Sequence, residues 1–203
     1  MRAKVMGLFL LGLVRLLTGS QARWYGCPPK AEQRIYFANH QSHVDLLLIW
    51  AALPQVLRTV TRPIAARDYW TRTPLRQWIT SQVFNAIYVA RERSADQDPL
   101  EPLAEALENG DSIILFPEGT RGHAEEPQPF KAGLYNLALR FPHVVLVPAW
   151  IANVQRVMPK GEVVPVPVLC SVTFGAPVKL QAGEERRAFL DRARDAVIAL
   201  RDV

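Results

Sequence analysis

Short apolar runs of strand length alternate with helix-length amphipathic patterns along most of this chain, and that alternation narrows its possible folds more than any other feature. The strand-like runs are Ile35–Ala38, Thr59–Ala65, Asn85–Val89, Ser112–Phe116, Val144–Ile151 and Val166–Phe174. Between and after them the spacing predicts helices over Val44–Ala52, Leu75–Gln82, Leu100–Asn109, Gly133–Arg140 and Glu184–Leu200. Such alternation builds a sheet with helices packed against it. The expected fold is therefore a single α/β domain with a mostly parallel or mixed sheet flanked by helices. No repeat, low-complexity tract or Gly/Ser linker divides the 203 residues. A chain of this length buries roughly 70% of its unfolded surface and needs no staple. Its two cysteines, Cys27 and Cys170, lie far apart with no C-x-x-C spacing, which excludes a disulfide scaffold or cysteine zinc cluster and fits a reducing compartment.

The amino terminus stands apart. Val5–Leu17 is apolar except for Arg15 and, at 13 residues, is too short to cross about 30 Å of hydrocarbon as a helix. On a helical wheel Lys4, Arg15 and Thr18 fall on one side, with Val5, Leu8, Phe9, Leu13 and Leu16 on the other. Trp24 and Tyr25 follow, rings suited to a headgroup layer. The expectation is an amphipathic membrane-interface helix over residues 1–22, followed by the main α/β domain over 23–203. The protein would then be peripheral or monotopic on the cytoplasmic membrane face. A signal peptide ending at Ser20-Gln21-Ala22 and a helix packed into the core are the alternatives.

Charge supports an anionic partner. Residues 1–30 carry five bases and no acid, residues 56–93 carry seven arginines against Asp68 and Glu92, and residues 94–130 carry nine acids against Arg121. A surface polarised this way attracts lipid headgroups, phosphates or nucleic acid to one side, unless the two faces are merely solvated. The stretch Arg67–Trp78 interleaves cations with aromatics. It reads as a membrane-facing or acyl-tunnel surface, or as core tryptophans beside solvated arginines. No nucleic-acid motif accompanies it, so nucleic acid is not expected as a partner.

Two segments carry chemistry. In Asn39-His40-Gln41-Ser42-His43-Val44-Asp45, positions 40 and 45 differ by about 140° on an ideal helix and do not pair if both are helical. With His40 in the turn and Asp45 in the first helical turn, the ring folds back onto the carboxylate. Asp45 then orients the imidazole and leaves the other ring nitrogen free as a general base. The Ser42/Asp45 spacing also fits a capping box, in which Asp45 only caps a helix. Metal binding by His40, His43 and Asp45 lacks an evident fourth ligand. There is no G-x-S-x-G, so a hydroxyl to be activated must come from the substrate.

The second segment, Phe116-Pro117-Glu118-Gly119-Thr120-Arg121, follows the apolar strand. Pro117 stops the ladder, Gly119 permits close backbone approach, and Arg121 offers a planar fork to phosphate oxygens. Ligands of open α/β sheets bind beyond strand carboxyl ends, where this loop falls. Lys131, near the start of the Gly133 helix, adds positive charge to amides suited to an anion. An ion pair between Glu118 and Arg121 across a turn is the alternative.

Together the segments resemble the glycerolipid acyltransferase family, the lysophosphatidate and glycerol-3-phosphate acyltransferases. His40 and Asp45 match the family's histidine and aspartate separated by four residues, and Phe116–Arg121 matches Phe-Pro-Glu-Gly-Thr-Arg throughout. Two further blocks are degraded. Asn85–Arg91 keeps the arginine but departs at Asn85 and Ala90, and Val147-Pro148-Ala149-Trp150 ends in a bulky ring. The resemblance spans roughly residues 24–180. It implies acyl transfer from acyl-CoA or acyl carrier protein to the free hydroxyl of a lysophospholipid, foremost 1-acyl-glycerol-3-phosphate giving phosphatidate, as in phospholipid biosynthesis. It further implies His40 as base and Asp45 as its support. Arg91, Arg121 and Lys131 would hold the acceptor phosphate, with Glu118, Gly119 and Thr120 shaping its pocket. No metal or other cofactor is required. A non-catalytic lipid-binding protein and a metal-dependent hydrolase are the rival readings.

Overall fold

The computed structural model describes residues 2–19, 21–42, 44–89, 98–122, 126–153 and 169–203. Seven strands form one mixed sheet: β1 (Gln21–Trp24), β2 (Arg34–Ala38), β3 (Thr61–Ala66), β4 (Ile87–Val89), β5 (Ser112–Leu115), β6 (Val145–Ala152) and β7 (Ser171–Phe174). Their order is β1-β7-β6-β2-β5-β3-β4. All neighbours run parallel except β6 and β7. At the centre, β2 is buried along its whole length, the pattern of a parallel strand covered on both faces.

The described helices are α1 (Arg2–Thr18), α2 (Asp45–Ala52), α3 (Gln55–Arg58), α4 (Arg67–Trp70), α5 (Pro74–Trp78), α6 (Glu101–Glu108), α7 (Gly133–Arg140) and α8 (Arg186–Ile198). They enclose two apolar cores, one on each side of the sheet. The first holds Trp50 and Leu48 from α2 with Leu11 from α1, and the second holds Leu134 from α7 with Phe189 and Val197 from α8. The chain thus leaves the adjacent strands β2 and β5 toward opposite faces, through α2 and α7. This makes their carboxyl ends a topological switch point, where such sheets form a crevice.

Several expectations shift in detail. Thr59 and Val60 precede β3 at the end of the short helix α3, where Thr59 N bonds Gln55 O and the Arg58 side chain reaches back to Trp50 O and Leu53 O at the end of α2. The expected helix over Leu75–Gln82 is α5 followed by a π-helical turn at Ile79–Val83. Asn85 takes a positive φ of 49°, which delays β4 until Ile87. Residues 166–168 lie outside the described residues. Strand β1 is one the sequence conceals: its four residues are mostly exposed and show no apolar alternation, and pairing with β7 alone makes it a strand. It runs across the expected boundary between residues 22 and 23. Of the acids over 94–130, Glu101 and Glu108 are both paired to Arg140.

Helix α1 packs one side against α2 and the π-turn, with Leu10, Leu11 and Val14 at the first core. Gly7 makes this approach possible, since a Cβ there would stand 3.3 Å from Val83 Cγ1. Thr18, expected on a polar face, is instead buried and donates its hydroxyl to Val14 O. The other side is apolar yet exposed, led by Leu16 at 81% and Leu8 at 69%. Trp24 does not face outward with it, because its ring stacks on Phe174 at 4.1 Å. Among the described residues no helix is long and apolar enough to cross a membrane.

Both cysteines are free and buried. Burial, and then the charge of Asp45, push the Cys170 thiol up to about 11, and burial raises Cys27 as well. Since the thiolate is the reactive form, native protein at pH 8 should take up no iodoacetamide on either thiol. Mass spectrometry should find both modified once the chain is denatured.

Candidate active site

The loop after β2 and the loop after β5 meet at that crevice. His40 lies in the first loop, ahead of α2, and Asp45 is the first residue of α2. His40 Nδ1 stands 2.9 Å from Asp45 Oδ2. A carboxylate oxygen accepts, so Nδ1–H donates, which in the neutral ring leaves the Nε2 lone pair free. The ring is 22% exposed while Asp45 is fully buried, so the imidazole reaches the crevice and the carboxylate does not. Asp45 Oδ2 also accepts from the backbone N–H of Gln41 at 2.7 Å and Ser42 at 2.9 Å. The capping box expected from the Ser42/Asp45 spacing does not form at the N-cap, which is Val44 and has no side-chain cap bond; the Asp45 oxygen that organises the preceding turn also orients the ring. Asp45 Oδ1 is buried with no hydrogen-bond partner among the described residues.

The Phe116–Arg121 loop holds the histidine from its other side. Phe116 stacks on the imidazole with centroids 4.3 Å apart and planes 17° from parallel. Glu118 is buried, and its Oε1 accepts from His40 N at 2.7 Å while Oε2 accepts from Gln128 N at 2.8 Å. Gly122 N donates back to His40 O at 2.8 Å. Glu118 therefore uses both oxygens on main-chain N–H groups and does not pair with Arg121. Its carboxylate clamps the backbone that carries His40. Burial pushes its carboxyl above the ordinary value, against the two backbone donors that pull it down. Asn39 completes the frame by pairing its amide, as a strand residue would, with Ile151 N and O on β6.

The remaining expected residues divide clearly. Gly119, Thr120, Arg121 and Lys131 are exposed at this end of the sheet. Gly119 has φ 69°, and a Cβ on it would stand 2.6 Å from Lys131 Nζ, so the lysine lies directly across the loop. Lys131 N donates to Pro117 O at 2.8 Å, which fixes that crossing. Arg121 and Lys131 have no ion-pair partner among the described residues. Arg91 and His43 lie outside the described residues. Phe116, Asn39 and Gln128 were not singled out from sequence. The first two sit inside the motifs, where their roles were legible in principle, whereas nothing in the sequence marks Gln128.

Comparison with known proteins converges on one family. A family model described as Acyltransferase matches residues 27–152. Human 1-acyl-sn-glycerol-3-phosphate acyltransferase alpha is 29% identical over 205 residues, covering 97% of this chain and 69% of that protein. The 1-acyl-sn-glycerol-3-phosphate acyltransferase of Limnanthes douglasii is 28% identical, covering 82% of this chain and 58% of its own. The crystal structure of the 1-acyl-sn-glycerophosphate (LPA) acyltransferase PlsC from Thermotoga maritima superposes with a TM-score of 0.72 at 24% identity, covering 98% of this chain and 79% of that one, which shows a shared fold.

Proposed function

Because this chain belongs to the acyltransferase family, whose model spans residues 27–152, we propose that it acylates the free hydroxyl of 1-acyl-glycerol-3-phosphate from an acyl thioester, yielding phosphatidate. One observation carries the reading: the His40–Asp45 pair and the Arg121 loop share one crevice, joined through the Glu118–His40 backbone bond. His40 Nε2 removes the hydroxyl proton as the oxygen attacks the thioester carbonyl carbon. The C–S bond breaks, and the sulfur leaves as a thiol with the proton His40 took up. Asp45 stabilises the imidazolium in between. Arg121 and Lys131 hold the acceptor phosphate, Arg as a bidentate fork and Lys as a point charge.

A mixture of lysophosphatidate and labelled acyl thioester should yield phosphatidate by mass spectrometry. Lysophospholipids without a phosphate monoester should serve poorly. Arg121→Ala should raise the acceptor KM roughly tenfold with little change in kcat, as loss of a contact equal in ground and transition states does. An unchanged KM would remove Arg121 from the phosphate site.

The exposed stripe on α1 supports seating at a membrane surface, which we place on the cytoplasmic face. Val5, Leu8, Phe9, Leu13 and Leu16 form it, with the exposed bases Lys4 and Arg15 along one edge. Each such side chain, fully moved into hydrocarbon, contributes about 1.5–3 kcal/mol. Leu8→Ser with Leu16→Ser should therefore cut binding to anionic vesicles at least tenfold in a flotation assay. Turnover of detergent-dispersed substrate should persist.

A further inference from the structure

The chain returning toward α7 after the Phe116–Arg121 loop is pinned to its surroundings. Lys131 N bonds Pro117 O, and Phe130 is buried with its ring edge-on to Phe37 of β2, three residues before His40. Gln128 N bonds Glu118 Oε2. Both neighbours of Gln128 are prolines and have no N–H, so Gln128 is the one main-chain donor that residues 127–129 can offer. A further hold comes from α8. Arg194 donates from Nε to Pro127 O at 2.8 Å and from Nη2 to Glu126 Oε2 at 3.1 Å.

That helix is a firm base for such a hold, because Phe189, Ala193 and Val197 beside Arg194 are fully buried in the second core. Pro127 is buried too, and the Arg194 side chain is only 25% exposed. The carbonyl of Pro127 and the N–H of Gln128 belong to one planar peptide unit, and in its trans form they point opposite ways. Fixing the oxygen with a guanidinium on one side therefore aims the N–H at Glu118 on the other. A cation on the oxygen also polarises the unit and strengthens its N–H as a donor. The other oxygen of Glu118 accepts from His40 N at 2.7 Å. The line of bonds thus runs from α8 through one peptide and one carboxylate to the main chain of the histidine.

We propose that Arg194 is a positioning residue for His40, acting through the Pro127–Gln128 peptide and Glu118; this rests on the reading of His40 as general base. An ordinary ion pair between Arg194 and Glu126 is the competing account, and exposed pairs contribute little. In the full chain Arg194→Ala should lower kcat for acyl transfer to lysophosphatidate roughly three- to thirtyfold, the scale of coupling through a packed network. Both KM values should stay within about twofold of the parent, because Arg194 touches neither substrate. Circular dichroism should show each variant folded at the assay temperature.

Three comparisons separate positioning from general support. Arg194→Lys keeps one donor for Pro127 O and should recover most of the lost kcat. Glu126→Gln removes only the ion pair and should keep the parental kcat. In a Glu118→Ala chain, where the line of bonds is already cut, adding Arg194→Ala should lower kcat no further. The proposal is overturned by an unchanged kcat in folded Arg194→Ala, or by an equal fold-loss with and without Glu118. A lysine variant no better than the alanine one, or a Glu126→Gln chain that falls as far, would also overturn it. These last two decide the matter should Glu118→Ala not fold. A failure of the acyl-transfer reading would look different, because the unmodified chain would then transfer nothing.

Discussion

His40→Ala should lower kcat for acyl transfer by about 100- to 10,000-fold, the worth of a positioned general base. The imidazole donates to Asp45 and stacks on Phe116 but fills no core position, and it remains 22% exposed. Asp45 would keep its bonds from Gln41 N and Ser42 N, so the turn should persist without the ring. Circular dichroism and the thermal midpoint should therefore stay close to those of the parent while turnover collapses. Near-parental kcat in a folded His40→Ala protein would exclude the imidazole as base.

Glu118→Ala should reduce activity and stability together, which sets it apart from the first variant. Removing the buried carboxylate leaves the N–H groups of half-buried His40 and exposed Gln128 without their acceptor, at up to about 1–3 kcal/mol for each that stays shielded from water. Urea unfolding should show a loss of about 2–5 kcal/mol, and kcat should fall because the base loses its backbone clamp. The acceptor KM should move less than in Arg121→Ala. A KM effect alone would return Glu118 to the acceptor pocket. Acidity gives a second readout. Burial raises the folded carboxyl above its usual value near 4.5, so folding takes up a proton in the window above that value. The stability this contributes is complete below the unfolded value and lost as pH rises through the folded one. Glu118→Gln carries no titrating group and should lack that slope.

The parallel core of the sheet was legible because its strands are buried on both faces and so read as apolar runs, with Ile35–Ala38 and Ser112–Phe116 standing nearly as expected. What escaped was what neighbours impose. Gln21–Trp24 has no strand signature of its own and is made a strand by β7. Thr18 reads as polar surface but satisfies its hydroxyl within its own helix and so tolerates burial. The His40–Asp45 pairing followed from spacing once the residues were divided between turn and helix. The inward turn of Glu118 did not, because its partners are main-chain N–H groups, which leave no trace in side-chain identity. Gln128 enters the site through its amide alone, so any residue but proline could stand there.

The two buried acids, Asp45 and Glu118, grip peptide groups of the histidine loop, whereas Thr120, Arg121 and Lys131 stand out in solvent. On the proposed reading, proton abstraction and alcohol selection reside in physically separate parts. Exchanging the solvent-facing trio should then redirect such a chain toward a different alcohol while its reactive centre stays intact, which makes those three positions the place to begin re-engineering its substrate range.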